Sequence, residues 1–310
     1  MMLKRQIIRF PCSGIRASSP AVRGVLQPQQ RQGHPKVTMF IRLGYDIQFD
    51  VPAPLAFVAQ LHVHPSRTAD LREPDVVHLD GDVVSTDYRD SFGNICTRFL
   101  APAGRLRLWN STLIEDSGLP DPVAPDALEI PPHELPNDVL RFLLPSRYCE
   151  IDLLSPIAVE LFGNLSPGWE RVAAIVEWVN RKVTFGYPYA RPTKTALDVY
   201  TERCGVCRDF QHLAVTFCRC LNIPARYVAG YLGDIGVPPS DTAMDFSAWF
   251  EAYLGGKWWT FDARHNQSRI GRVLMATGRD AADVAFLTSF GSSTLAKFEV
   301  ISNEVPAPST

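Results

Sequence analysis

No run of eighteen or more apolar residues occurs in the 310-residue sequence, so no segment reads as a membrane-spanning helix. An excess of one charge is also lacking. Lys and Arg number 31 against 33 Asp and Glu, and the formal net charge of -2 argues against nucleic acid or an anionic membrane as the main partner. Cysteine is scarce and odd in number. Seven over a chain of this length are unlike a disulfide framework, and Ile7-Ile8 is too short for the apolar stretch of a secretory signal. A reducing cytoplasm is the expected compartment. Acidic residues are missing altogether from residues 1–38, where Arg, Pro, Gly and Gln cluster. That composition predicts a disordered or spurious extension, in preference to a targeting peptide. Over the whole chain, 46% hydrophobic and 21% charged residues are enough to bury a core.

After residue 38 the patterning becomes regular. Ile41, Leu43, Tyr45, Ile47, Phe49 and Val51 alternate with polar residues or Gly, which predicts a half-buried strand. Shorter strands are expected over 55–63, 76–79, 94–100 and 105–108, giving a β-rich N-terminal domain over 39–112. Residues 113–150 are rich in Pro and acid and read as a linker or an irregular wrap. A core domain is expected over 151–303. In it, Ser166-Pro167 reads as an N-cap and first helical residue ahead of an apolar face made by Trp169, Val172, Ala173, Val176 and Val179. A short helix is expected over 195–201, and a frayed tail over 304–310.

The most informative stretch is 201–221. Phe210, Leu213, Ala214, Phe217 and Leu221 form one helical face behind the turn Cys204-Gly205-Val206-Cys207. Cys207 falls at the helix start, where free backbone N–H groups and the helix dipole favour a thiolate, the nucleophilic form. Cys204 and Cys207 also have the CxxC spacing of redox dithiols, without the βαβ context that would support that role. Downstream, two aromatic-rich runs flank Gly255-Gly256 and predict a hairpin in which Leu254 pairs with Lys257. The same register sets Trp249 opposite Asp262 and places Ser247, Trp249 and Asp262 on one face. His62 and His64 share a face at period two, but no third ligand lies nearby, so no metal site is expected. Trp258 and Trp259 alternate, and at least one is expected in the core.

Three pieces then carry a resemblance: Gly-Val-Cys-Arg-Asp-Phe at 205–210, Ile-Pro-Ala-Arg-Tyr-Val-Ala-Gly-Tyr at 223–231, and Ala-Trp-Phe-Glu-Ala-Tyr followed by Trp-Thr-Phe-Asp at 248–262. In order and spacing they resemble the bacterial transglutaminase-like superfamily. The resemblance implies an α+β, papain-like core with the nucleophile on a helix, preceded by a small β-rich domain. It further implies a Cys–His–Asp triad acting on amides through a thioester, as a hydrolase such as a cysteine protease or amidase, or as an acyltransferase. By position Cys207 matches the nucleophile and Asp262 the acid that orients the histidine, but the family's general-base position is occupied by Ser247. A serine cannot take the thiol proton near neutral pH.

His265 is the first candidate for a substitute, provided that the strand ends at Asp262 and a turn brings it back. His212 lies about 140° around the helix from Cys207 and is expected at the solvent or groove. Asp209 and Glu251 could accept protons but would raise the thiol's pKa. Trp249 and Tyr187 are the expected groove residues. No cofactor, metal or calcium site is expected, and the partner is a protein, peptide or small amide substrate. Loss of the base also permits a catalytically inactive binding module.

Overall fold

The computed structural model describes residues 6–7, 38–239 and 243–307, so the predicted extension lies outside the described residues except for Gln6–Ile7 and Thr38. The main elements of the front half are β1 (Met39–Val51), β2 (Leu55–Ala59), β3 (Ile95–Ala101) and β4 (Gly104–Asp116). There follow α1 (Ile151–Phe162), α2 (Trp169–Lys182), α3 (Ala196–Glu202), α4 (Cys207–Cys220), β5 (Ala225–Leu232), β6 (Ser247–Leu254), β7 (Lys257–Phe261), β8 (Arg272–Gly278), β9 (Leu287–Ser289) and β10 (Thr294–Val305).

β1 carries the predicted alternation. Its apolar residues from Ile41 to Val51 are each no more than 3% exposed, while Arg42, Asp46 and Asp50 point outward to basic or acidic partners. It pairs with β4 over its whole length, Met39 opposite Asp116 and Val51 opposite Gly104. The strand predicted over 105–108 therefore extends into the segment read as linker.

The division at residue 112 needs correction. β10 pairs with β1 and β9 with β2, so the C-terminal strands complete the front sheets. Val273, Met275 and Val300 join the front core. The expected core domain 151–303 is thus shared with the front half, and the chain's two halves are stitched together through backbone hydrogen bonds.

The second core is built around α4. Phe210, Leu213, Ala214 and Phe217 are buried against α1, α2, α3 and an antiparallel sheet of order β7-β6-β5-β8. The helix α1 was not anticipated. α2 begins two residues later than Ser166-Pro167 suggests: Gly168 holds the N-cap at φ 108°, its N–H donates to Glu129 Oε1 at 2.9 Å, and the Trp169 N–H donates to the Ala127 carbonyl at 3.0 Å. A Cβ at position 168 would stand 2.4 Å from that carbonyl oxygen, so the Pro-rich wrap itself decides where the helix starts.

Candidate active site

Cys207 is the first residue of α4, behind the N-cap Val206. The Val206 N–H donates to Asp209 Oδ2 at 2.9 Å, which closes the turn at the helix start and leaves the first helical N–H groups without intrahelical partners. Gly205 is required here, because a Cβ would meet Asp209 Cβ at 2.6 Å. The thiol does not behave as helix position alone suggests. Burial pushes Cys207 up to about 11; Arg264 pulls it down, Asp245 and Asp209 push it further up, and the Arg208 N–H favours the thiolate. Burial therefore works against the helix end, and the thiolate depends on a basic or cationic partner to form.

β7 ends at Phe261, and the following turn reverses the chain. The Asn266 N–H bonds the Asp262 carbonyl at 2.9 Å, and Asn180 Nδ2 holds the Arg264 carbonyl at 2.7 Å. This returns His265 to Asp262, with Nδ1 2.9 Å from Asp262 Oδ2. Nε2 remains for a proton from elsewhere. His265 and Cys207 face the same cavity, together with Ser247, Asp245, Arg264 and Tyr187.

Asp262 is the buried hub. Oδ1 accepts from the Arg264 N–H (3.0 Å), the His265 N–H (3.1 Å) and Gln211 Nε2 (3.2 Å); Oδ2 accepts from Arg272 Nη2 (3.0 Å). Burial alone would raise the carboxyl, but the His265 hydrogen bond and the Arg272 and His265 charges hold it well below the usual carboxylate range. A carboxyl depressed in the folded state contributes stability above its unfolded pKa of about 4, and that contribution is lost as pH falls through the folded value. Asp262→Asn is therefore expected to cost about 2 kcal/mol at pH 7. In urea unfolding, its difference from the parent protein should narrow below about pH 4; a difference independent of pH would contradict this.

Several sequence-predicted residues lie elsewhere. Trp249 is not in a groove: it is 2% exposed, beneath the Arg272 guanidinium at 5.1 Å and against Gly230. His212, expected at solvent or groove, is fully buried. It stacks on Tyr148 with ring centroids 4.9 Å apart, its Nε2 accepts from the Ala281 N–H at 3.1 Å, and burial drives its pKa far down. Asp209 is buried on Arg208 and Glu251 is paired with Arg226. Trp258 packs edge-on to Phe142, and Trp259 meets Trp169. His62 bonds Thr97 and His64 bonds Ser66, and among the described residues no three ligand-type side chains converge as a metal would require. Cys204 and Cys207 are both unpaired.

Asp245 escaped the sequence reading. It precedes β6, lines the cavity beside Cys207, and has a buried Oδ1 with no hydrogen-bond partner. Burial raises its carboxyl to about 7, against the Phe246 N–H and Arg264.

A thiol at a helix start and an Asp-bound histidine, facing one cavity above an antiparallel sheet, define a papain-like cysteine-enzyme fold. The chain belongs to the transglutaminase-like superfamily, whose family description matches residues 156–263. A crystal structure from Cytophaga hutchinsonii, of a protein put forward as a cysteine protease, is 30% identical. Its TM-score is 0.75, and the match covers 88% of this chain and 93% of that one. An uncharacterised protein of Mycobacterium leprae is 28% identical over 213 residues, 64% of this chain and 73% of its own length. Among the described residues, no helix is long and apolar enough to cross a membrane.

Proposed function

We propose that the protein cleaves amide or peptide bonds through a thioester on Cys207, with His265 acting as the base that Ser247 cannot be. The observation that carries this reading is the His265–Asp262 pair on the wall of the cavity that also exposes Cys207. The Cys207 proton passes to His265 Nε2 as Sγ bonds to the substrate carbonyl carbon. Negative charge on the carbonyl oxygen is met by backbone N–H groups at the start of α4. The C–N bond then breaks, and the imidazolium returns its proton to the leaving amine. In the second half, water gives a proton to His265 while its oxygen bonds the thioester carbon. The thiolate departs and recovers that proton. An amine in place of water would make the same cycle an acyl transfer.

The substrate is a protein, peptide or small amide, and no step calls for a cofactor. We assign a reducing cytoplasm, supported by the unpaired state of the described cysteines.

The test is the pH dependence of iodoacetamide labelling at Cys207, read by peptide mass spectrometry. With His265 as partner, labelling should titrate below about 8.5 and move upward in His265→Ala. If labelling follows the buried thiol near 11 in both proteins, the protein is instead an inactive binding module. The vacated position at Ser247 and the raised thiol favour this second reading.

A further inference from the structure

Two cavities meet at Cys207, and their walls differ in chemistry. One, of 260 Å³, is faced by Ile47 and Phe49 from β1, by Val284 and Phe286 from the loop before β9, and by Leu295 and Phe298 from β10. The other, of 690 Å³, is of mixed character: Asp234, Arg264, His265, Gln267, Arg269 and Glu304 share its wall with Leu232, Ile235, Val237 and Met244. Tyr187, Cys207, Asp245, Phe246 and Ser247 belong to both, so the thiol stands in the partition between an apolar and a more polar chamber.

The arginines at the edge of the apolar chamber are already engaged. Arg191 pairs with Asp198 and Glu202, and Arg208 pairs with Asp209. Asp245 differs, because its Oδ1 is shut from solvent and has no hydrogen-bond partner. A buried acceptor left in this way calls for a partner.

We infer that the apolar chamber takes the acyl side of the substrate, a branched aliphatic or single-ring aromatic side chain beside the scissile carbonyl, while the amine half leaves through the polar chamber. The inference rests on Cys207 being the nucleophile. A cavity of about 150 Å³ already accepts benzene, so 260 Å³ admits a Leu or Phe side chain. A Gln or Lys side chain reaching the far wall would set its polar end against Ile47, Phe49, Leu295 and Phe298, away from the polar groups at the partition, which is unfavourable. The Asp245 carboxyl borders both chambers at the partition, and its Oδ1 meets a substrate N–H only if the side chain turns toward the cavity. The front sheets thereby become a specificity wall, since β1 and β10 supply much of the apolar face.

The experiment is protection of Cys207 from iodoacetamide in the full-length protein, with labelling of Cys204 as the internal control. The protectants are N-acetyl-leucinamide, N-acetyl-phenylalaninamide, N-acetyl-glutaminamide and N-acetyl-lysinamide. The first two should half-protect at concentrations about tenfold or more below the last two. Ala285→Phe, which fills the chamber, should erase that difference. Equal protection by all four, or protection by none, overturns the inference, and the parent protein alone decides this if the variant does not fold. The readout needs no turnover. A protein that shows the preference but cleaves none of these amides keeps the chamber and loses the proposed catalysis. One that cleaves them all alike keeps the catalysis and loses the chamber.

Discussion

Cys207→Ala is expected to abolish turnover of any amide that the parent protein cleaves, by a factor on the order of 10⁶, the scale on which removal of a single protease nucleophile acts. The loss should be nearly all in kcat, because the cavity walls that hold the substrate remain. It also removes the one atom that can carry the acyl group. In the parent protein, a substrate quenched in acid during steady state should add the acyl mass to the peptide containing Cys207, and in the variant that adduct should be gone. The fold should not suffer. Cys207 is part-buried beside Tyr227, Ala248 and Val284, and Ala keeps its contact with the sheet while losing only the sulfur. Undiminished turnover in Cys207→Ala would remove the thioester from the mechanism altogether.

His265→Ala should lower kcat/KM by about 10²–10⁴, the usual worth of a positioned acid–base group. The more searching form of the experiment adds Ser247→His. Ser247 opens β6 opposite Gly230 and lines both chambers next to Cys207, so a histidine there could reach the thiol from the other side of the partition. In the double variant, part of the lost activity should return, with a shifted pH profile because Asp262 then bonds no imidazole at position 265. If His265→Ala leaves kcat/KM unchanged, another group takes the proton, and Asp245 is the one placed to do so.

How much of this was legible in the sequence depends on which physical signal each part leaves. β1 is read from its period because one face is buried and the other is charged. The hairpin is read from Gly255-Gly256, and its register, Leu254 opposite Lys257 and Phe250 opposite Phe261, is the expected one. The start of α4 at Cys207 is read from the turn and the apolar face. By contrast, α1 hides behind Pro156 in its interior and behind Glu150, whose side chain makes no capping bond. β8 hides because Val273, Met275, Ala276 and Thr277 are buried with no clean alternation. The places of β9 and β10 in the front sheets depend on strands more than two hundred residues away in the chain.

The site divides in the same way. Cys207 is singled out by the turn and helix start, while the role of Asp262 is what the resemblance implies and the hairpin register only sets its face. His265 lies in a turn, where strand parity has no say and direction is settled by hydrogen bonds donated by Asn180 and accepted by Asp262. Asp245 leaves no pattern at all, because its character comes from what surrounds it. The thiol is the clearest case. Helix position, visible in sequence, argues for a thiolate, and desolvation, visible only once the walls are in place, argues against it.

The pairing of β10 with β1 sets a timetable for synthesis. Phe40 must wait for Val305, near the opposite end of the chain, and the wall behind Cys207 cannot close until then. Such distant partners give a high contact order and a slow final folding step. On the ribosome, α4 and Cys207 emerge while Leu295 and Phe298 have yet to be made. Until then the chamber beside Cys207 lacks the part of its wall that β10 provides. Formation of β10 supplies Leu295 and Phe298 and so completes the wall of the apolar chamber.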